Sequence, residues 1–483
     1  MTRPTRIALL GACIFSCVQA QAFAQDAATL PAGQTSIAPR AEVAVAYSDN
    51  AERSNFDPQS VGALEESVGV RVERGGPLNI DADLSMLHYD LTDHLPSENL
   101  PSGNVRVTDS FIPDRLSLTL EDNLAQVSTQ PFDVLADPDR QTVNFLTLGP
   151  QFTEPLGSRG RLLFDGEFGT THYDTSNLDN KRYMFEAGAE RITGEASALS
   201  INFRHERVQY DLDDLYPTTQ SDAGFLRYSA RTSRTFMNVE LGADTIQVTN
   251  EQRHDAPHIE LTLQRLISAR STLNFEFSSG YSDAEDSLRQ STASGFNAGS
   301  NQNVVAVAQP FRADRAYVLL LHNSSRGSAA FDVTWEREIY QGDAIDDRSV
   351  AGADAAVDYR LTPVLTLTGK LRWQRERFLS TGVSDDVGEL ELGLSQRLTR
   401  TLQLSLVGEH THGTGSSNIY AFHENRVLLA LSYAPKGSTP QVFDPVSQFR
   451  YYNWPGAPRN LVAPAPSPTL PQSPALPDPD AGL

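Results

Sequence analysis

Three sets of side chains in this sequence have the types and spacing to do chemistry. The first is an internal echo: Trp335-Glu336-Arg337-Glu338 recurs as Trp373-Gln374-Arg375-Glu376, and Phe203-Arg204-His205-Glu206-Arg207 ends a third segment in a similar way. Guanidinium groups offer forked donors that match phosphate oxygens, so Arg207, Arg337 and Arg375 are candidate phosphate contacts. The same residues also read as an aromatic border with solvated charge beside it. The second set is acidic: Asp211, Asp213 and Asp214; Asp283, Glu285 and Asp286; Asp343, Asp346 and Asp347; Asp385 and Asp386. Oxygen-rich loops can hold calcium or magnesium, but none of these has the spacing and glycine of a defined calcium loop, so solvated loops are expected. The third is His410 and His412, which share one strand face without an evident third ligand. No nucleophile elbow, phosphate loop or zinc helix motif is present. No enzyme, cofactor or metal is expected.

The elements that would position these groups are strands. In residues 41–47, Ala41, Val43, Val45 and Tyr47 fall on one face, and Glu42, Ala44 and Ala46 on the other. Leu116 to Glu121, Leu365 to Leu371 and Leu402 to Leu406 repeat the alternation. Successive strand residues point to opposite faces, so each segment has one apolar and one polar side. Reading the short turns against the long polar connections gives about twenty strands. The number becomes eighteen if the weak segment Asn104 to Phe111 or the first strand is misread. The long connections expected are 49–65, 92–103, 126–141, 175–181, 212–221, 285–313 and 413–423. The fold class is therefore all-β, a transmembrane antiparallel β-barrel. A soluble sandwich shows the same alternation. It fits less well with long ribbons, alternating connection lengths and a polar face carrying Arg204, Glu240, Asp244, Glu276, Lys370, Arg372, Glu389 and Glu391.

The ends support export. Arg3 and Arg6 precede an apolar core from Ile7 to Val18, and Ala22-Phe23-Ala24 matches a cleavage site, so residues 1–24 read as a signal peptide. Leu10-Gly11-Ala12-Cys13 offers a lipobox alternative with little apolar core before it. Both cysteines, Cys13 and Cys17, lie in that segment, which excludes disulfides and thiol chemistry from a chain cleaved there. Residues 25–40 read as a periplasmic leader, 41–434 as the barrel and 435–483 as a disordered proline-rich tail. The tail carries Pro464-Ala465-Pro466-Ser467-Pro468, and proline removes donors and fixes φ. An aromatic cluster (Phe443, Phe449, Tyr451, Tyr452, Trp454) precedes that stretch and reads as a linker, a docking segment or a plug. The net charge is −22, and removing Arg3 and Arg6 takes it to −24. Such acidity argues against nucleic acid as a partner, because binding it requires phosphate neutralisation. Mean hydropathy is low at −0.35, which a barrel tolerates because only alternate residues in a central band meet lipid.

Tyr47-Ser48-Asp49-Asn50, Leu148-Gly149-Pro150 and the run Arg161 to Tyr173 together resemble the porin-like outer-membrane barrels of Gram-negative bacteria. The family in question is the type-2 barrels often found with exopolysaccharide or exosortase gene clusters. The resemblance covers about 41–434 and implies an outer-membrane barrel, and it supplies no catalytic residues to carry over. A glycan substrate rests on that family context alone; outer-membrane lipid and lipopolysaccharide are expected of the barrel wall, and a periplasmic protein or peptidoglycan of the tail, because both ends of an even-stranded barrel lie in the periplasm. In that setting Arg207, Arg337 and Arg375 become candidate lipopolysaccharide contacts. Trp335, Trp373 and Tyr433 become the candidate aromatic girdle. The function expected is a conduit for hydrophilic solute or exopolysaccharide. The alternatives are a non-conducting scaffold with adhesive loops, or a hydrolase, since Asp93-His94 and Asp213-Asp214 resemble the acidic and histidine pairs of outer-membrane proteases.

Overall fold

The computed structural model describes residues 33–91, 97–128, 140–212, 216–249, 253–283, 309–341, 347–416 and 421–435. The signal peptide, most of the leader, the core of the 285–313 connection and the tail from residue 436 lie outside them, as do Asp93, His94, Asp213, Asp214, Glu285, Asp286, Asp343 and Asp346.

Twenty strands follow in order. They are β1 (Thr35–Ser48), β2 (Val61–Arg74), β3 (Leu78–Leu91), β4 (Glu98–Ile112) and β5 (Leu116–Ser128). Next come β6 (Arg140–Leu156), β7 (Gly160–Tyr173), β8 (Asn180–Gly194), β9 (Ser197–Tyr210) and β10 (Thr219–Arg231). Then come β11 (Thr235–Val248), β12 (His254–Ser268), β13 (Ser271–Ser282), β14 (Phe311–Asn323) and β15 (Gly327–Tyr340). The last are β16 (Arg348–Arg360), β17 (Leu365–Phe378), β18 (Ser384–Arg397), β19 (Leu402–Gly415) and β20 (Phe422–Tyr433). Each strand pairs antiparallel with its sequence neighbours, and β1 closes on β20 from Ala41↔Tyr433 to Ser48↔Arg426. Closure leaves no free edge along the span that pairs with β20, Ala41 to Ser48. No described helix is long and apolar enough to cross a membrane, which says nothing of strands that cross one.

Two boundaries differ from the sequence reading. β1 starts at Thr35, so residues 35–40, expected in the leader, pair with Gly69 to Arg74 of β2. The outer ends of several strands run into segments read as connections, for example β4 from Glu98 and β10 from Thr219. In both cases the apolar alternation fades because both faces turn polar, while the backbone ladder continues. The weak segment Asn104 to Phe111 lies inside β4 and settles the number at twenty.

The register fixes the two faces. Val45, Tyr47, Leu226, Leu241, Leu371, Leu392 and Leu406 are exposed on the outside, and Leu118, Leu367 and Leu404 share that parity. Ser117, Thr368 and Ser405 point inward, as do Arg204, Glu240, Asp244, Glu276, Lys370, Arg372, Glu389 and Glu391. Most strands have 13–15 residues, more than the roughly 9–11 that a tilted strand needs to cross hydrocarbon. The surplus is polar on the outward face and gathers at the long-loop end. There His205 faces Asp222, Arg375 faces Asp386, and His412 faces His423.

The three segments that carried the family resemblance have local roles. Ser48-Asp49-Asn50 clamps the closing seam. Ser48 Oγ donates to Glu424 (2.8 Å), the Asn425 amide and side chain donate to Asp49 (2.7 and 2.8 Å), and Asn50 Nδ2 donates to the His423 carbonyl (2.9 Å). Pro150 cannot donate to the ladder, and pairing of β6 with β7 resumes on either side, at Leu148↔Phe168 and Gln151↔Asp165. Opposite it, Gly166 belongs to the third segment. Beside the proline, a Cβ at Gly149 would come within 2.8 Å of the Gly166 carbonyl oxygen, so glycine lets the two backbones approach there.

Candidate functional site

Hydrogen bonding along the ladder is already satisfied by backbone, so the inward side chains are free to pair with one another. On β15–β18 they form a paired group. Arg348 donates through Nε to Glu338 (2.6 Å) and through Nη1 to Glu376 (2.8 Å), and Tyr340 Oη donates to Glu338 (2.8 Å). Both ends of Arg348 are thus held by carboxylates, and all three charged groups are buried. Arg372 pairs with Asp354 (3.1 Å), Lys370 with Glu389 (3.4 Å) and Arg315 with Glu336. At the seam, Arg426 meets Glu65, and Arg53, from the loop after β1, meets Glu424 (2.9 Å). Acid exceeds base on this wall. β15 points Asp332, Glu336 and Glu338 inward, and β18 points Asp385, Glu389 and Glu391.

Several ion pairs skip strands, as Arg426 on β20 does over β1 to reach Glu65 on β2. Arg40 on β1 crosses β2 to reach Asp83 on β3. It passes over Gly69, where a Cβ would meet Arg40 Nε at 2.8 Å. Arg182 on β8 binds Glu206 and also Asp283, which follows β13 five strands away. At the long-loop mouth, two distant parts of the wall are thereby tied together.

The candidate lipopolysaccharide arginines all lie on the outward face toward the long-loop end, but the structure does not bring them together. Arg207 on β9 lies between Tyr183 and Gln220, and Arg337 on β15 between Asp314 and Ser349. Arg375 on β17 is already held by Asp386 (2.7 and 3.0 Å), with its guanidinium 5.8 Å from the Trp373 ring. Trp335 and Trp373 flank the alanine face of β16, opposite Ala351 and Ala353, and are 38 % and 41 % exposed. Tyr433 shares the outward parity at the other end of the wall, level with Leu402 and Ala41. The described acidic residues do not converge on an ion. Asp211 pairs with Lys181 (2.9 Å), Asp283 with Arg182, and Asp347 accepts from the Tyr340 amide (2.8 Å). Asp385 points inward while Asp386 points outward.

Sequence reading missed two constellations because both depend on register. His423 sits opposite His412, with Nδ1 atoms 3.0 Å apart and rings stacked at 4.3 Å. Glu240, His258 and Glu260 converge from β11 and β12, with ligand atoms all within 4.8 Å. Glu240 had been recognised as a charge on the polar face, but not as one of three groups meeting there.

No family model matches the chain, and no curated protein matches it. Among solved structures, similarity extends to a ferric enterobactin receptor (PfeA) mutant from Pseudomonas aeruginosa. That match has 9% identity and a TM-score of 0.42, covering 84% of this chain and 81% of the other. The FrpB iron transporter from Neisseria meningitidis gives 10% identity and a TM-score of 0.42, covering 84% and 82%. Pseudomonas aeruginosa OpdQ gives 11% identity and a TM-score of 0.38, covering 83% and 99%. At these identities and scores the likenesses add no argument to the geometry.

Proposed function

We propose that the chain is a Gram-negative outer-membrane barrel that conducts hydrophilic solutes and favours cations. One observation carries this reading: a ladder closed through β1 and β20 separates an apolar outer face from a charged inner one. Lipid cannot satisfy backbone or charged groups, and a closed barrel with apolar exterior needs neither from it. A polar lumen lowers the cost of carrying water-soluble molecules through hydrocarbon, and a barrel this wide has room for water. Surplus carboxylate on the wall biases passage toward cations. Exopolysaccharide is the larger substrate suggested by the family resemblance. The partners proposed with it are lipopolysaccharide at Arg207, Arg337 and Arg375, and a periplasmic protein or peptidoglycan at the tail.

The test is reconstitution of folded protein into planar bilayers under a salt gradient. Stepwise conductance with a cation-selective reversal potential is expected. Silent bilayers, unchanged after deletion of 285–308, would move the assignment to a non-conducting scaffold with adhesive loops.

A further inference from the structure

The inner wall at β11–β12 contains a cluster that differs from every other lumenal charge group described. His258 lies at its centre and is buried, with 4% of its surface exposed. Its Nδ1 is 3.0 Å from Asp244 and its Nε2 is 3.3 Å from Glu240. Glu260 stands directly opposite Glu240 across the ladder. Like charges facing each other on neighbouring strands repel. No hydrogen bond from a described residue reaches Glu260, and its carboxylate, with those of Glu240 and the His258 ring, converges within 4.8 Å.

The wall is cut away around the imidazole. Gly242 lies between Phe225 and His258 in the ladder. A Cβ at Gly242 would meet the Gly224 carbonyl oxygen and come within 2.6 Å of Phe225 Cα and Cβ, so glycine lets β10 approach closely here, and the Phe225 ring stacks on His258 at 4.5 Å. On the other flank, a Cβ at Gly280 would be 2.7 Å from Asp244 Oδ2. The two glycines therefore make the cradle that holds ring and carboxylate in place.

The charges do not balance. Arg204 and Arg227 share Glu186 (2.9 and 3.1 Å), and Arg227 also takes Glu240 Oε1 (2.6 Å). Two guanidinium groups stand against Glu186, Glu240, Asp244 and Glu260. With a neutral imidazole, the group carries two uncompensated negative charges, which one divalent cation would offset. Arg227 leaves Glu240 Oε2 directed at the imidazole.

We propose that Glu240, His258 and Glu260 form a binding site for a first-row divalent transition metal, with Asp244 orienting the histidine. A proton on Nδ1, donated to Asp244, leaves the Nε2 lone pair facing both glutamates. This is the carboxylate–histidine–metal arrangement that fixes tautomer and raises ligand basicity. One imidazole nitrogen with carboxylate oxygens suits manganese, iron or zinc better than an oxygen-only ion such as magnesium. The remaining coordination positions open toward the lumen, on the side of partly exposed Glu260. The site is built by the wall itself and does not depend on whether the lumen conducts.

The test uses the purified barrel in detergent, stripped with chelator, in a His412→Asn/His423→Asn background that silences the rim histidine pair. Titration with Zn²⁺ alone should show one site per chain, and Co²⁺ should give the absorption of a nitrogen–oxygen ligand set. Glu260→Gln and His258→Asn should abolish that site. Asp244→Asn should weaken it by about 10–100-fold, the usual effect of losing a histidine's carboxylate partner. Glu391→Gln, elsewhere on the inner wall, should leave it unchanged. Heat-dependent gel mobility identifies which variants have folded, and Glu260→Gln keeps the test decisive if His258→Asn does not. Absence of Zn²⁺ uptake by folded protein, or uptake unaltered in Glu260→Gln, would overturn the proposal. It would leave a protonated His258 bridging its carboxylates as the whole account.

Discussion

Strands β15 to β18 present two opposite solutions to one problem. Their outward face carries Trp335, Ala351, Ala353, Leu371, Trp373 and Leu390. Their inward face, one residue out of phase, carries Glu338, Arg348, Arg372, Glu376 and Glu389. The backbone and ladder are shared, so the difference lies in what each face can bring to a polar group. Outside, away from the rim where Arg375 meets Asp386, neutral side chains fill the surface. Inside, the cations meet carboxylates, and Arg348 can be buried because Glu338 and Glu376 hold both of its ends. Cationic charge on these strands is tolerated by pairing and not by exposure to water.

The largest expected effect breaks the inner solution. Arg348→Ala leaves two buried carboxylates without their cation, at a cost of about 3–5 kcal/mol, typical when one partner of a buried ion pair is removed. A lower denaturant midpoint in detergent would register it. Replacing Arg348, Glu338 and Glu376 together by apolar residues should recover most of the loss, and a triple variant as unstable as Arg348→Ala would contradict the pairing account.

Breaking the outer solution comes next. Leu118→Arg, Leu367→Arg or Leu404→Arg should impair assembly, at a cost of up to about 2–4 kcal/mol, the midplane value, and less the closer the site lies to the interface. Ser117→Arg, next to Leu118 but inward and half-buried, should assemble normally. Thr368 and Ser405 are poorer inward controls, because both are buried and Ser405 is hydrogen-bonded to Ser395 (2.9 Å). Equal damage at Leu118 and Ser117, read by heat-dependent gel mobility, would reverse the assignment of faces.

A smaller effect sharpens the steric side of the comparison. Gly69→Ala places a methyl group where Arg40 crosses to Asp83, and overpacking of this kind costs about 1–3 kcal/mol. In an Arg40→Ala background the cost should fall without vanishing, because the added Cβ still lies 2.9 Å from the Leu84 carbonyl oxygen, and a double-mutant cycle measures that coupling directly.

The smallest effect belongs to the watery rim, where neither solution is required. Partial burial raises the Asp49 carboxyl, but hydrogen bonds from the backbone and side chain of Asn425 outweigh it and hold the group below the ordinary carboxylate range. A depressed value in the folded state stabilises above the unfolded value, about 3.9, and is lost as pH falls through the folded one. Asp49→Asn should therefore flatten the acid limb of the melting temperature below pH about 4 and change little at neutral pH. An unchanged acid limb would remove Asp49 from the seam clamp.

Much of the fold could be read in advance because period-2 alternation is a local property. Val43, Val45 and Tyr47 declare a face without reference to any neighbour. Trp335 and Trp373 could be given outward parity on the same ground. The strand ends were less legible. At Thr35 to Arg40 and Glu98 to Gly103 the contrast between faces weakens while the ladder persists, so pairing with the next strand, and not side-chain pattern, sets the boundary.

The sequence by itself determined the all-β class, the two-faced strands and the approximate strand number, because each follows from residues a few positions apart. Tertiary structure alone decided which side chains meet. Glu240 and His258 are eighteen residues apart in the chain and belong to different strands, and only the Gly242↔His258 and Glu240↔Glu260 register brings them together. Arg182 and Asp283 are separated by 101 residues and five strands, and only the curvature of a closed wall returns one to the other. Distances of that kind are set by closure and register, which no stretch of sequence encodes on its own.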